Sequence, residues 1–114
     1  MSDRDVQWLE SHNVRRKEWH ERYDTTFIPL KWSSSLKEES KVWANQLLSV
    51  CGNNGLYHDQ KSQYGENLAG NSGTGSWAKV RSTDAILTRF VENEADDEYP
   101  HNRHLLQVIW RATK

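Results

Sequence analysis

The sequence predicts an α+β fold, one small domain in which helices cover a sheet, and three observations carry that prediction. Three segments repeat their apolar residues at helical spacing. One segment, 104–110, is apolar at nearly every position, as a strand covered on both faces would be. At 114 residues the chain is long enough for one core and too short for two.

Composition narrows the function classes. Six tryptophans and an aromatic share of 11% argue against a disordered chain. The 15 basic and 16 acidic residues are interleaved, with a formal net charge of −1, so the basic stripe of a nucleic-acid binder is missing. No apolar run approaches the roughly 20 residues needed to span a bilayer, and no transmembrane segment is expected. Met1-Ser2-Asp3-Arg4-Asp5 is charged and lacks the apolar stretch of a secretory signal, which leaves an intracellular location open. Cys51 is the lone cysteine, so an internal disulfide is excluded, and it reads as a small buried residue rather than a reactive thiol.

The first helix is predicted over 5–23, where Trp8, His12, Arg15, Trp19 and Tyr23 share one face. Thr25, Thr26 and Pro29 break it; 27–32 forms an extended link, within which 27–31 is a second strand candidate. Ser35-Leu36-Lys37-Glu38 has the form of a capping box and should start helix two. Leu36, Ser40, Trp43, Ala44, Leu47 and Leu48 give it a stripe expected to be buried, and Gly52 is placed to end it. The Gly/Asn/Ser-rich stretch 51–77 reads as loop with a turn near 64–68. Ser82 or Thr83 caps helix three, which should run to Glu94 or Ala95. The strand 104–110 follows, with His104, Leu106, Val108 and Trp110 on one face.

Chemistry is sought where polar residues occupy apolar positions. At about 100° per residue with Ile86 as zero, Phe90 lies at about 40°, Leu87 at about 100° and Val91 at about 140°. Glu94 falls at about 80°, centred on that face, whereas Glu92 falls at about 240°, opposite it. A core-facing carboxylate must be paired, metal-bound or solvated at a frayed helix end. His104 opens the buried strand, His58 lies in the loop after helix two, and Glu66 sits in Tyr64-Gly65-Glu66-Asn67-Leu68. Two imidazoles with two carboxylates suit a zinc-type cation, although their spacing fits no short contiguous metal motif.

The order of these segments resembles the CAP superfamily (the SCP, pathogenesis-related-1-like and cysteine-rich secretory proteins). Trp8-Leu9-Glu10-Ser11-His12-Asn13-Val14-Arg15-Arg16 resembles its opening "hydrophobic-x-x-His-Asn-x-x-Arg". Leu30-Lys31-Trp32 with Leu36, then Trp43-Ala44 and Leu47, resemble its next two motifs. Tyr64-Gly65-Glu66-Asn67-Leu68-Ala69 matches "Y-G-E-N-L-A", and His104-Leu105-Leu106-Gln107-Val108-Ile109-Trp110 is similar to "H-F-T-Q-V-V-W". The resemblance implies a three-layer α-β-α sandwich over residues 1–114, with the family's closing Gly-Cys segment and last strands missing from the chain. It implies a central cleft able to hold Zn2+ or another divalent cation, lined by His58, Glu66, His104 and a glutamate of helix three. The family's Trp-x-x-Glu, counted from Phe90, lands on Asn93. The facing argument therefore selects Glu94, with Glu92 as the alternative and Asn67 and Gln107 as supporting polar groups. Arg103 replaces a glycine before the second histidine, and Leu106 replaces a threonine.

Three functions remain open at this point. The resemblance favours a binding module of defence or signalling that takes a sterol, lipid or other apolar ligand, with Phe27 and Trp77 lining the groove, and it implies an extracellular setting. A metal-assisted hydrolase with Glu66 or Glu94 as general base is the alternative. A histidine–carboxylate network that only stabilises the cleft is the third.

Overall fold

The structure, a computed structural model, describes residues 1–50, 56–71 and 80–112. The element order is α1 (Asp3–Arg22), α2 (Ser34–Ser49), α3 (Thr83–Phe90), a 3-10 turn (Glu92–Glu94) and α4 (Arg103–Val108). Two compact units arise: Met1–Lys31 with Lys79–Lys114, and Trp32–Ala78. Among the described residues there is no strand.

In the first unit, α1 starts one turn's worth of chemistry earlier than its apolar pattern. The Ser2 hydroxyl accepts the Asp5 amide and the Asp5 carboxylate accepts the Ser2 amide, a reciprocal cap that satisfies two donors otherwise orphaned at a helix start. The helix ends at Arg22, and Tyr23 and Asp24 turn the chain before the threonines. Asp24 adopts a left-handed φ of 53°, the Asp24 amide donates to the Glu21 carbonyl, and the Thr25 amide reaches back to the His20 carbonyl. That pair of bonds closes a helix with a left-handed residue, a conformation aspartate tolerates better than most side chains.

The core of this unit is Trp19, Ile86, Leu87, Phe90, Val91, Leu105, Val108, Ile109 and Ala112. Helix α3, capped by the Ser82 hydroxyl on the Ala85 amide, contributes its apolar face against α1 and α4. Each large apolar side chain buried there contributes about 1.5–3 kcal/mol. Two arginines of α1 are buried with it. Arg16, 1% exposed, donates from Nε and Nη2 to the Ile28 carbonyl and from Nη1 to the Val108 and Trp110 carbonyls. Arg15 is held by the carboxylates of Asp84 (2.9 Å) and Glu92 (3.0 Å). Burial works against its charge, and the two carboxylates outweigh that and raise its pKa. The Asn13 side chain accepts the Leu30 amide at 2.7 Å and donates to the Leu30 carbonyl at 3.1 Å. Segment 27–32 is therefore an extended link, as expected, but it is tied to a helix rather than to a sheet.

The expected strand 104–110 is instead helix α4 and the turn after it. Leu105, Val108, Ile109 and Ala112 are the buried residues, and their three- and four-residue spacing is helical. Trp110, assigned to a buried face, is 59% exposed, with the Arg111 guanidinium 4.5 Å from its ring centre. Helix α3 also stops four residues short of Glu94: Val91 breaks it, and the 3-10 turn carries the chain on.

In the second unit the cap of α2 is Ser33, whose hydroxyl accepts the Leu36 amide, so Ser35 lies inside the helix. The stripe expected to be buried is mostly open. Leu47 is buried and Trp43 half-buried, whereas Leu36, Ser40, Ala44 and Leu48 are exposed. Trp43 is fixed through its indole N–H, which donates to the Tyr57 carbonyl at 3.2 Å. The proposed terminator Gly52 lies outside the described residues, as do Cys51 and Trp77.

Candidate functional site

Each unit carries one histidine–glutamate pair, and the two pairs are built alike. In the second unit the loop after α2 brings His58 Nδ1 to 2.7 Å from Glu66 Oε1, and the same oxygen accepts the Asp59 amide at 3.2 Å. In the first unit the 3-10 turn and the start of α4 bring His104 Nδ1 to 2.6 Å from Glu94 Oε2, while Glu94 Oε1 accepts the Leu105 amide at 3.1 Å. In both, one carboxylate grips an imidazole and the backbone N–H of the next residue.

An ionised carboxylate can only accept, so in both pairs Nδ1 carries the proton it donates. Carboxylate-bound imidazoles of this kind are the usual form of a histidine that ligates a metal through its other nitrogen. His104 is further fixed by Phe90, whose ring stacks on it with centroids 5.1 Å apart and planes within 11°. Side-chain exposure separates the pairs: Glu94 is 12% and Glu66 24% exposed, His104 43% and His58 60%.

Glu92 and Glu94, which follow α3, have different partners. Glu94 holds His104, whereas Glu92 is spent on Arg15. The facing argument thus picked the residue that meets the histidine, although the helix it assumed ends before reaching Glu94. Asn67 is half-buried and lines a pocket of about 200 Å³ with Glu66. Gln107 is exposed on α4, because the helix turns it away from the buried side. The Arg103 guanidinium lies over the Tyr99 ring at 5.4 Å. Phe27 is half-buried and meets the edge of the His20 ring at 5.9 Å.

Among the described residues no group of three or more His, Cys, Asp and Glu side chains is assembled that would hold a metal ion. Each pair alone offers one imidazole and one carboxylate. A zinc site takes three or four protein ligands, so neither pair makes one by itself. Sequence reasoning missed the stacking role of Phe90, which its place at a family tryptophan position signals. It also missed the Arg15 and Arg16 clamps, whose partners lie 69–94 residues away in the chain, apart from the Ile28 and Ser11 carbonyls.

Among the described residues the framework is helical, and each unit holds a histidine against a glutamate. A family comparison gives the class its name: the model of the CAP family, the Cysteine-rich secretory protein family, matches residues 9–114, and the chain belongs to that family. Membership is consistent with an α+β fold. Comparison with curated proteins and with solved structures gives no significant match. No helix among the described residues is long and apolar enough to cross a membrane.

Proposed function

We propose that this CAP-family chain is an extracellular binding protein, built on the family's three-layer α-β-α sandwich, in which His58 and His104 hold a divalent cation of zinc type. Glu66 and Glu94 orient the two rings rather than ligating first. One observation supports the reading: in both pairs a carboxylate holds the imidazole through Nδ1, the arrangement usual for a histidine that ligates a metal through Nε2. The family resemblance supplies the idea of a shared cleft. A zinc ion held there would supply Lewis acidity and a fixed positive charge. A sterol or lipid is the apolar ligand that the family resemblance suggests.

Binding is favoured over hydrolysis because both carboxylates that would serve as general bases already accept two hydrogen bonds each. Zinc titration by calorimetry is the test. Wild type should bind one equivalent, Glu66→Gln and Glu94→Gln should each weaken binding about tenfold or more, and His58→Ala/His104→Ala should abolish it. A double variant that binds zinc as tightly as wild type removes the metal reading.

A further inference from the structure

The second unit contains a groove of about 720 Å³, within the usual range for small-ligand sites, between α2 and the segment 57–64. We propose that this groove binds a small quaternary ammonium ion of the choline type. Three features of the same surface support it, and none depends on the metal reading.

The walls come first. The indole of Trp43 is anchored by its N–H on the Tyr57 carbonyl, and the Tyr57 ring stands at 88° to it with centroids 5.4 Å apart. Two perpendicular rings make a corner that follows the curved surface of a tetrahedral cation, and Tyr64 adds a third aromatic to the lining. Tyr57 and Tyr64 are 47% and 52% exposed, so the rings are presented to the groove rather than consumed by the core.

Charge comes second. The lining includes Glu38, Glu39 and Asp59 against the single ammonium of Lys61. An acidic rim draws a cation toward aromatic walls and opposes phosphates and fatty-acid anions. Hydration comes third. A methylated ammonium carries no N–H to donate and loses little water on entering an aromatic corner, whereas a lysine-type ammonium gives up strong hydration for rings that cannot replace it. The chemistry recognised is therefore the trimethylammonium group, free or displayed on a lipid. The acidic rim favours the free ion over a headgroup whose phosphate lies alongside.

Calorimetry of the full chain in excess chelator decides the matter and keeps it separate from the zinc question. Choline should bind saturably, and 3,3-dimethylbutan-1-ol, its uncharged isostere, about tenfold or more weaker. Tyr57→Leu should weaken choline binding about fivefold or more, and Glu38→Gln/Glu39→Gln should weaken it severalfold with a smaller salt dependence. Leu48→Ala, on α2 but outside the lining, should bind choline as wild type does, so a loss in Tyr57→Leu belongs to the groove. Equal binding of the isostere, no saturable choline binding, or co-sedimentation with phosphatidylcholine vesicles while free choline is silent would each overturn the proposal.

Discussion

The two units present the same histidine–glutamate device on very different supports. In the first, Glu94 and His104 rest on a nine-residue apolar core, with Phe90 stacked on the imidazole. In the second, Glu66 and His58 stand on a loop beside a helix whose one buried apolar residue is Leu47. Local hydrogen bonding alone can orient an imidazole, since the bond lengths of the two pairs are nearly equal. What the core adds is resistance to leaving that orientation. The first pair is packed against a core and the second stands more open to solvent.

The largest expected effect lies in the support. Leu87→Ala should cost about 2–5 kcal/mol and Arg16→Leu about 3–5 kcal/mol, because the first opens a cavity and the second strands three carbonyls that share one guanidinium. Leu48→Ala, on the exposed side of α2, should cost under about 0.5 kcal/mol. Denaturant midpoints measure all three, and equal losses would erase the contrast between the units.

A smaller effect separates the pairs themselves. Glu94→Gln should destabilise by about 1–3 kcal/mol, since it weakens a charge-assisted bond in a nearly buried setting. Glu66→Gln, at a more exposed pair, should cost under about 1 kcal/mol. Reversal of that order would mean that the loop, not the core, holds its histidine harder.

The smallest effect is a dependence on pH in the first unit. His20 is fully buried, its Nδ1 faces the Thr25 hydroxyl, and among the described residues its Nε2 has no partner. Burial, then the nearby Arg16 charge, pushes its pKa below the ordinary 6.5, and burial pushes His12 the same way. The unfolded chain therefore takes up protons first as pH falls. Stability is full above about pH 6.5 and is lost below it, toward the lowered folded values. His20→Gln should flatten that slope in a series of denaturation curves, and an unchanged slope would assign it elsewhere.

How much of this was legible in the sequence depends on where each signal's partners lie. Helices α1 and α3 were legible because their apolar spacing is local, whereas the facing of Glu94 was argued along a helix that stops at Phe90. Helix α4 was misread as a strand because a run as apolar as 104–110 satisfies both periods: Val108 fits either, and only the exposure of Trp110 separates them. The three consecutive serines 33–35 each offer a cap, and the periodic pattern could not choose Ser33. The open face of α2 was illegible, because an apolar stripe states what a helix could bury and not what covers it. Arg15 was placed on the Trp8–Trp19 face, but what it and Arg16 hold was not legible, because most of their partners are far away in the chain.

The central claim is that both imidazoles are held as Nε2 donors for one metal ion. Long-range 15N spectra of the histidine rings, recorded without zinc and with one equivalent, test it directly. The account predicts Nδ1–H tautomers at His58 and His104 before zinc, and perturbation of both Nε2 resonances at the same equivalence point. Protonated Nε2 in either ring before zinc, or a response from only one of the two, would contradict it.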